Sequence, residues 1–190
     1  IGGVAIGTML FDLLYWNLGL LRVGKGGKAA QSYGKRDFRE SVNILVQSLG
    51  TALLSALFLL IIQYFYILGA FAILETTPQV EAMAKEYFFI RIWAAPATLS
   101  LFAFKGWFIG MQNTLSPMVT DIVVNVFNIV LSVLFAFPMK MGIAGIALGT
   151  VAAQYIGLMS AALLLTRYYK KLFKYINLKA SLKIREMKDF

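Results

Sequence analysis

The sequence contains no cysteine and no histidine. Disulfides, thiolate chemistry, imidazole metal sites and Ser-His catalysis are therefore excluded within it. Charge is scarce as well: 14% of residues are charged, nine of them acidic, where a soluble domain averages about 25% charged. In exchange, 59% of the 190 residues are hydrophobic, above the roughly 45–50% of a soluble domain. That balance marks a membrane protein. The net charge is +9, but the basic residues are clustered, six at 22–39 and eight at 167–188. Both clusters border apolar runs, so they carry topology before they suggest nucleic acid.

Five apolar runs are long enough to span a bilayer, at 2–21, 42–74, 87–111, 117–137 and 142–166, since about 20 helical residues cross about 30 Å of hydrocarbon. The second run exceeds that length and is expected to tilt or to begin at the interface. Residues 22–39 read as a Gly- and Lys-rich loop, and 75–86 as a polar loop. Pro96 should kink the third run, and Pro117 suits the first turn of the fourth. Alternation places the first loop, the third loop and the tail on one side. Their basic excess makes that side cytoplasmic. Ile1 follows no start methionine or charged leader, and five spans make an odd count. Both features suit a piece of a longer protein.

In the fifth run Gly145, Gly149, Ala153 and Gly157 recur at four-residue spacing, which stacks them on one helix face for close packing. The basic tail at 167–190, with Leu172, Phe173, Ile176, Leu182 and Ile184, reads as a cytoplasmic interfacial segment on anionic headgroups. Gly19 to Lys25, GLLRVGK, matches the skeleton of a phosphate loop, but Gly26 stands where Ser or Thr is needed and no strand precedes it. Neither Asp12 in MLFDLL nor Asp121 in VTDIVV has the glycine-aspartate setting of an intramembrane aspartyl enzyme. Nothing in the chain reads as an enzyme or as a cofactor site.

What remains is polar residues where lipid is expected. An ionisable group inside a span costs about 2.5–3.5 kcal/mol on insertion scales and marks a functional site by default. Asp12 and Asn17 interrupt the first run, Lys105 the third, and Asp121, Asn125, Asn128 and Ser132 share one helix face of the fourth. Interhelical hydrogen bonding competes with a cavity role for Asn125 and Ser132; for Asn128, near mid-membrane, the cavity role is expected. Asp121, a turn inside Pro117, is expected to be solvated or ion-paired. Asp12 needs a proton or a partner to offset its depth. Lys105 is a candidate partner for either carboxylate. Arg91 would snorkel.

The ordered segments YWNLGLLRVGKGGKAAQSYGKRD, RIWAAPA, GWFIGMQNTLSPM, NVFNIVLS and GIAGIALGTVAAQYIGL resemble landmarks of the multidrug and toxic-compound extrusion (MATE) transporters, in particular their DinF-like branch. The resemblance implies an all-α, polytopic fold. The five spans at 1–166 would be helices two to six of a six-helix amino-terminal lobe within a twelve-helix protein, and 167–190 would lead toward the second lobe. It also implies that Asn128 and Thr150 shape a cation-linked cavity. Ser132 stands where many members carry Asp, which weakens proton exchange by that helix. The implied activity is efflux of amphipathic or cationic compounds, drugs among them, in exchange for protons or sodium ions, in a bacterial inner membrane. The implied partners are lipid, a small-molecule substrate, and the missing first helix and second lobe. A lipid-linked precursor flippase, which would favour several cavity arginines, and a non-transporting scaffold are the alternatives.

Overall fold

The computed structural model describes residues 2–18 and 20–176, and every described element is helical. Helix α1 is Gly2–Leu18, α2 Leu20–Gly34, α3 Phe38–Ile73, α4 Pro78–Arg91, α5 Ala95–Gly110, α6 Leu115–Ala136 and α7 Gly142–Tyr169. A 3₁₀ turn, Ile92–Ala94, joins α4 to α5, and another, Lys170–Tyr175, follows α7. Gly19, the Asn17 side chain and the tail beyond Ile176 lie outside the described residues, and with them most of the phosphate-loop skeleton and the apolar positions Leu182 and Ile184.

Among the described residues, four helices are long and apolar enough to cross a membrane: Phe38–Ile73, Pro78–Gly110, Leu115–Ala136 and Gly142–Tyr175. The first run, expected as a fifth span at 2–21, is described as a shorter apolar helix, its end at Gly19 lying outside the described residues. Residues 22–39 are not a loop. Most of them form α2, in which Gly26 serves packing rather than turning: a Cβ on Gly110 would lie 2.6 Å from the Gly26 carbonyl oxygen, so α2 and α5 touch backbone to backbone. The loop at 75–86 is also shorter than expected, because Pro78 at the first position of α4 starts the helix there. The second run starts early too, at Phe38, where the Asp37 carboxylate accepts the Glu40 amide at 2.9 Å.

Pro96 breaks the third span as its missing N–H requires. The carbonyl it cannot engage, that of Ile92, accepts the Ala95 amide instead, which tightens one turn to 3₁₀. The Tyr155 hydroxyl of α7 donates to the nearby Trp93 carbonyl at 2.9 Å. This broken helix is the centre of the bundle. Its most apolar stretch is 61% buried, against 17%, 11% and 28% in the other three spans. Phe88, Ile92, Leu99 and Ala103 pack with Leu10, Phe11 and Ala52 in one cluster; Leu101, Phe104, Trp107 and Phe108 pack with Ala29, Ile44 and Ala161 in the other.

Two turns close the same end of the bundle by one device. Arg36 after α2 and Gln112 after α5 have φ of 57° and 62°. The next amides, of Asp37 and Asn113, reach back to the Ser32 and Phe108 carbonyls, each at 2.9 Å, the hydrogen-bond pattern of a Schellman helix end. At that end the Trp107 indole donates to the Ser41 carbonyl at 2.7 Å and its ring meets Tyr169 edge-on at 4.9 Å. The first loop, the third loop and the end of α7 are thus tied together.

The small-residue row of α7 packs on α6 in steady antiparallel register. A Cβ on Gly145 would lie 2.6 Å from the Phe135 carbonyl carbon, one on Gly149 2.5 Å from the Ser132 nitrogen, and one on Gly157 2.2 Å from Val124. Ala153, between them, is fully buried.

Candidate functional site

Between α1, the broken α4–α5 span, α6 and α7 lies a cavity of about 600 Å³. It reaches from the Pro96 break, where Arg91, Ala94 and Thr98 line it, to Lys105 and Asp121, about two turns from the basic end of the bundle. Lys105 of α5 and Asp121 of α6 form an ion pair across it, which settles the partner of Lys105. The Lys105 side chain is largely buried and that of Asp121 half exposed, so the pair is a rim contact between two helices that otherwise touch little.

Of the expected site residues, Asp12, Lys105, Asp121, Asn125 and Thr150 line the cavity. Asn128 and Ser132 do not. The Asn128 carboxamide oxygen accepts from the Ser132 hydroxyl at 3.0 Å and is 3.2 Å from that of Thr150, and both hydroxyls also lie within reach of the Ile146 carbonyl. The cavity role expected for Asn128 therefore gives way to a bond across the α6–α7 seam. All four polar residues of α6 share a face as the spacing requires, but at different depths. Near the 137–141 turn the glycines of α7 close the seam over Asn128 and Ser132. Toward Leu115 the same face looks onto α5 and α1.

Arg91 is the residue sequence reasoning missed. Expected to snorkel, it sits at the end of α4, more than three turns from Pro78, and lines the cavity. Its guanidinium donates to the Tyr87 hydroxyl at 2.8 Å and Thr8 Oγ1 at 3.2 Å, and lies over the rings of Phe11 and Tyr87 at 4.8 and 5.5 Å. The signal was available in the four-residue spacing of Tyr87 and Arg91, which stacks them on α4. Tyr15, Trp16 and Phe102 add aromatic surface, and Gln154 a further amide. No group of three or more acidic side chains able to hold a metal occurs among the described residues.

A bundle of apolar helices around a charged, partly polar cavity is the architecture of a helical integral membrane protein. Residues 1–134 match the MatE family, and the chain belongs to that family. It is 32% identical over 170 residues to the DNA damage-inducible protein F of Escherichia coli, which covers 90% of this chain and 37% of that protein. It is also 36% identical over 89 residues to Protein DETOXIFICATION 43 of Arabidopsis thaliana, 47% of this chain and 17% of the relative. Its fold superposes, at a TM-score of 0.77 and 21% identity, on an inward-facing multidrug resistance MATE family transporter, over 86% of this chain and 37% of that one. The lipid II flippase MurJ shares the fold at a TM-score of 0.69 and 17% identity, over 90% of this chain and 37% of the flippase. The chain thus spans little more than a third of the length of the relatives it matches most fully.

Proposed function

We propose that the chain is the cavity-bearing part of a secondary-active efflux antiporter, which exports amphipathic or cationic compounds in exchange for protons or sodium ions. Two lobes would alternate access to a central site. The observation that carries this reading is the cavity itself: among the described residues, two cations and two carboxylates from four separate helical elements line it, ionisable groups within apolar runs that mark a functional site by default. Asp12 is the carboxylate best suited to bind the coupling ion. It lines the cavity and, among the described residues, has no hydrogen bond or ion pair, whereas Asp121 is held by Lys105. The reaction is transport rather than bond-making, and the compartment in this reading is a bacterial inner membrane.

The flippase reading shares the fold but lacks a distinguishing residue set, since Arg91 is the one arginine among the described residues that line the cavity. The test is dye efflux from proteoliposomes containing the full-length protein, driven by a proton gradient in one series and a sodium gradient in another. Transport under one of the two gradients, lost in Asp12→Asn, is expected. Absence of transport under both would sink the antiporter reading, and undiminished coupling in Asp12→Asn would remove Asp12 from it.

A further inference from the structure

We propose that the cavity is a zwitterion site, in which Arg91 takes an acidic group of the substrate and Asp12 its cationic part. This rests on the reading of the cavity as a transport site and narrows its substrate class.

Arg91 brings a permanent positive charge to the middle of a membrane span, and no acidic group described there is hydrogen-bonded or ion-paired to it. Its two hydrogen bonds, to Tyr87 and Thr8, go to neutral oxygens and both leave from Nη1. The Phe11 and Tyr87 rings lie within cation–π range of the guanidinium but supply no counter-charge. The other acidic group across the cavity, Asp121, is already engaged by Lys105. A guanidinium has five N–H donors in a rigid fork. With Nη1 occupied, the Nε and Nη2 donors remain, the edge that grips a carboxylate with two parallel bonds.

The second recognition point follows from α1. Thr8, Asp12 and Trp16 lie at four-residue spacing, so they stack on one face of the helix. Thr8 holds Arg91, while Asp12 and Trp16 line the cavity. The carboxylate of Asp12 therefore stands about one turn, roughly 6 Å, along the helix from the Arg91 level. Trp16, Tyr15 and Phe102 provide aromatic surface beside it for the body of the molecule. A purely cationic substrate would satisfy Asp12 and leave Arg91 uncompensated. A purely anionic one would do the reverse. An amphipathic compound with both charges about one helical turn apart satisfies both.

Two dyes isolate the acidic group: rhodamine 110 carries a free carboxylate beside its delocalised cation, and rhodamine 123 is its methyl ester. Their binding to the purified full-length protein is read by fluorescence polarisation. The unaltered protein should bind rhodamine 110 about tenfold more tightly, the scale of a charge-assisted hydrogen-bonded pair. Arg91→Gln should erase that preference and Arg91→Lys, which keeps the charge but not the fork, should retain part of it. Asp12→Asn should weaken both dyes alike. Equal or tighter binding of rhodamine 123 by the unaltered protein would overturn the zwitterion site while leaving a cation site intact, and that comparison needs no variant to fold. If neither dye bound, the transport reading of the cavity would fall and this inference with it.

Discussion

Lys105 and Asp121 show how position along a helix decides what a charge does. Their ion pair sits at the cavity rim, with one partner largely buried and the other half exposed, so its net contribution is small, about 0.5–1 kcal/mol. Removing one partner costs more than removing both, because the survivor is left unpaired at membrane depth. Lys105→Met alone is expected to lower the melting temperature in detergent, and adding Asp121→Asn should recover most of the loss. Additive losses in the double variant would mean the pair is not formed in solution. Asn128 and Asn125 separate in the same way. Asn128→Leu breaks the bond across the α6–α7 seam, where such bonds average about 0.6 kcal/mol, and is expected to reduce thermal stability. Asn125→Leu, in the cavity wall, should reduce efflux at nearly normal stability. Melting curves and proteoliposome efflux for the two variants distinguish these roles, and the opposite pattern would return Asn128 to the cavity.

At the scale of elements, the α6–α7 hairpin and the helix-end turns carry the clearest expectations. Gly149 has a backbone neighbour, Ser132, where a side chain would have to go. Gly149→Leu must therefore part the two helices, and folded yield should fall severely in size-exclusion chromatography. A monodisperse peak of normal height would show that the seam is looser than this packing requires. Gln112 offers the converse case. Its φ of 62° is left-handed backbone that costs a side-chain-bearing residue about 1–2 kcal/mol and glycine almost nothing. Gln112→Gly is expected to raise the melting temperature by a few degrees, since the turn keeps its shape and loses its strain. An unchanged or lower value would place the strain elsewhere.

For the whole molecule, the ends of the bundle carry the topology. The 35–37 turn and the 111–114 turn lie with the end of α7 at the basic end, while Pro78 starts α4 at the other. With the basic end cytoplasmic, a cysteine at Lys28 in the intact cell should resist an impermeant thiol reagent, and one at Gln79 should react readily. Labelling at Lys28 from outside would invert the orientation, and with it the side to which the Lys105–Asp121 rim of the cavity opens.

The sequence by itself determined the helical class, the order of the apolar runs, the break at Pro96 and the glycine seam of α7. Each depends only on local chemistry: hydropathy, a missing N–H, small side chains at helical spacing. It misjudged 22–39, where Gly26, which looks like a loop residue, instead lets α2 lie against the backbone of α5. The tertiary structure alone decided that Lys105 pairs with Asp121, that Arg91 rests on Phe11 and Tyr87 inside the cavity, and that Asn128 closes a seam while Asn125 lines the void. Periodicity gives a residue its direction around its own helix axis. Which neighbour stands in that direction, and at what depth, depends on how all the helices pack.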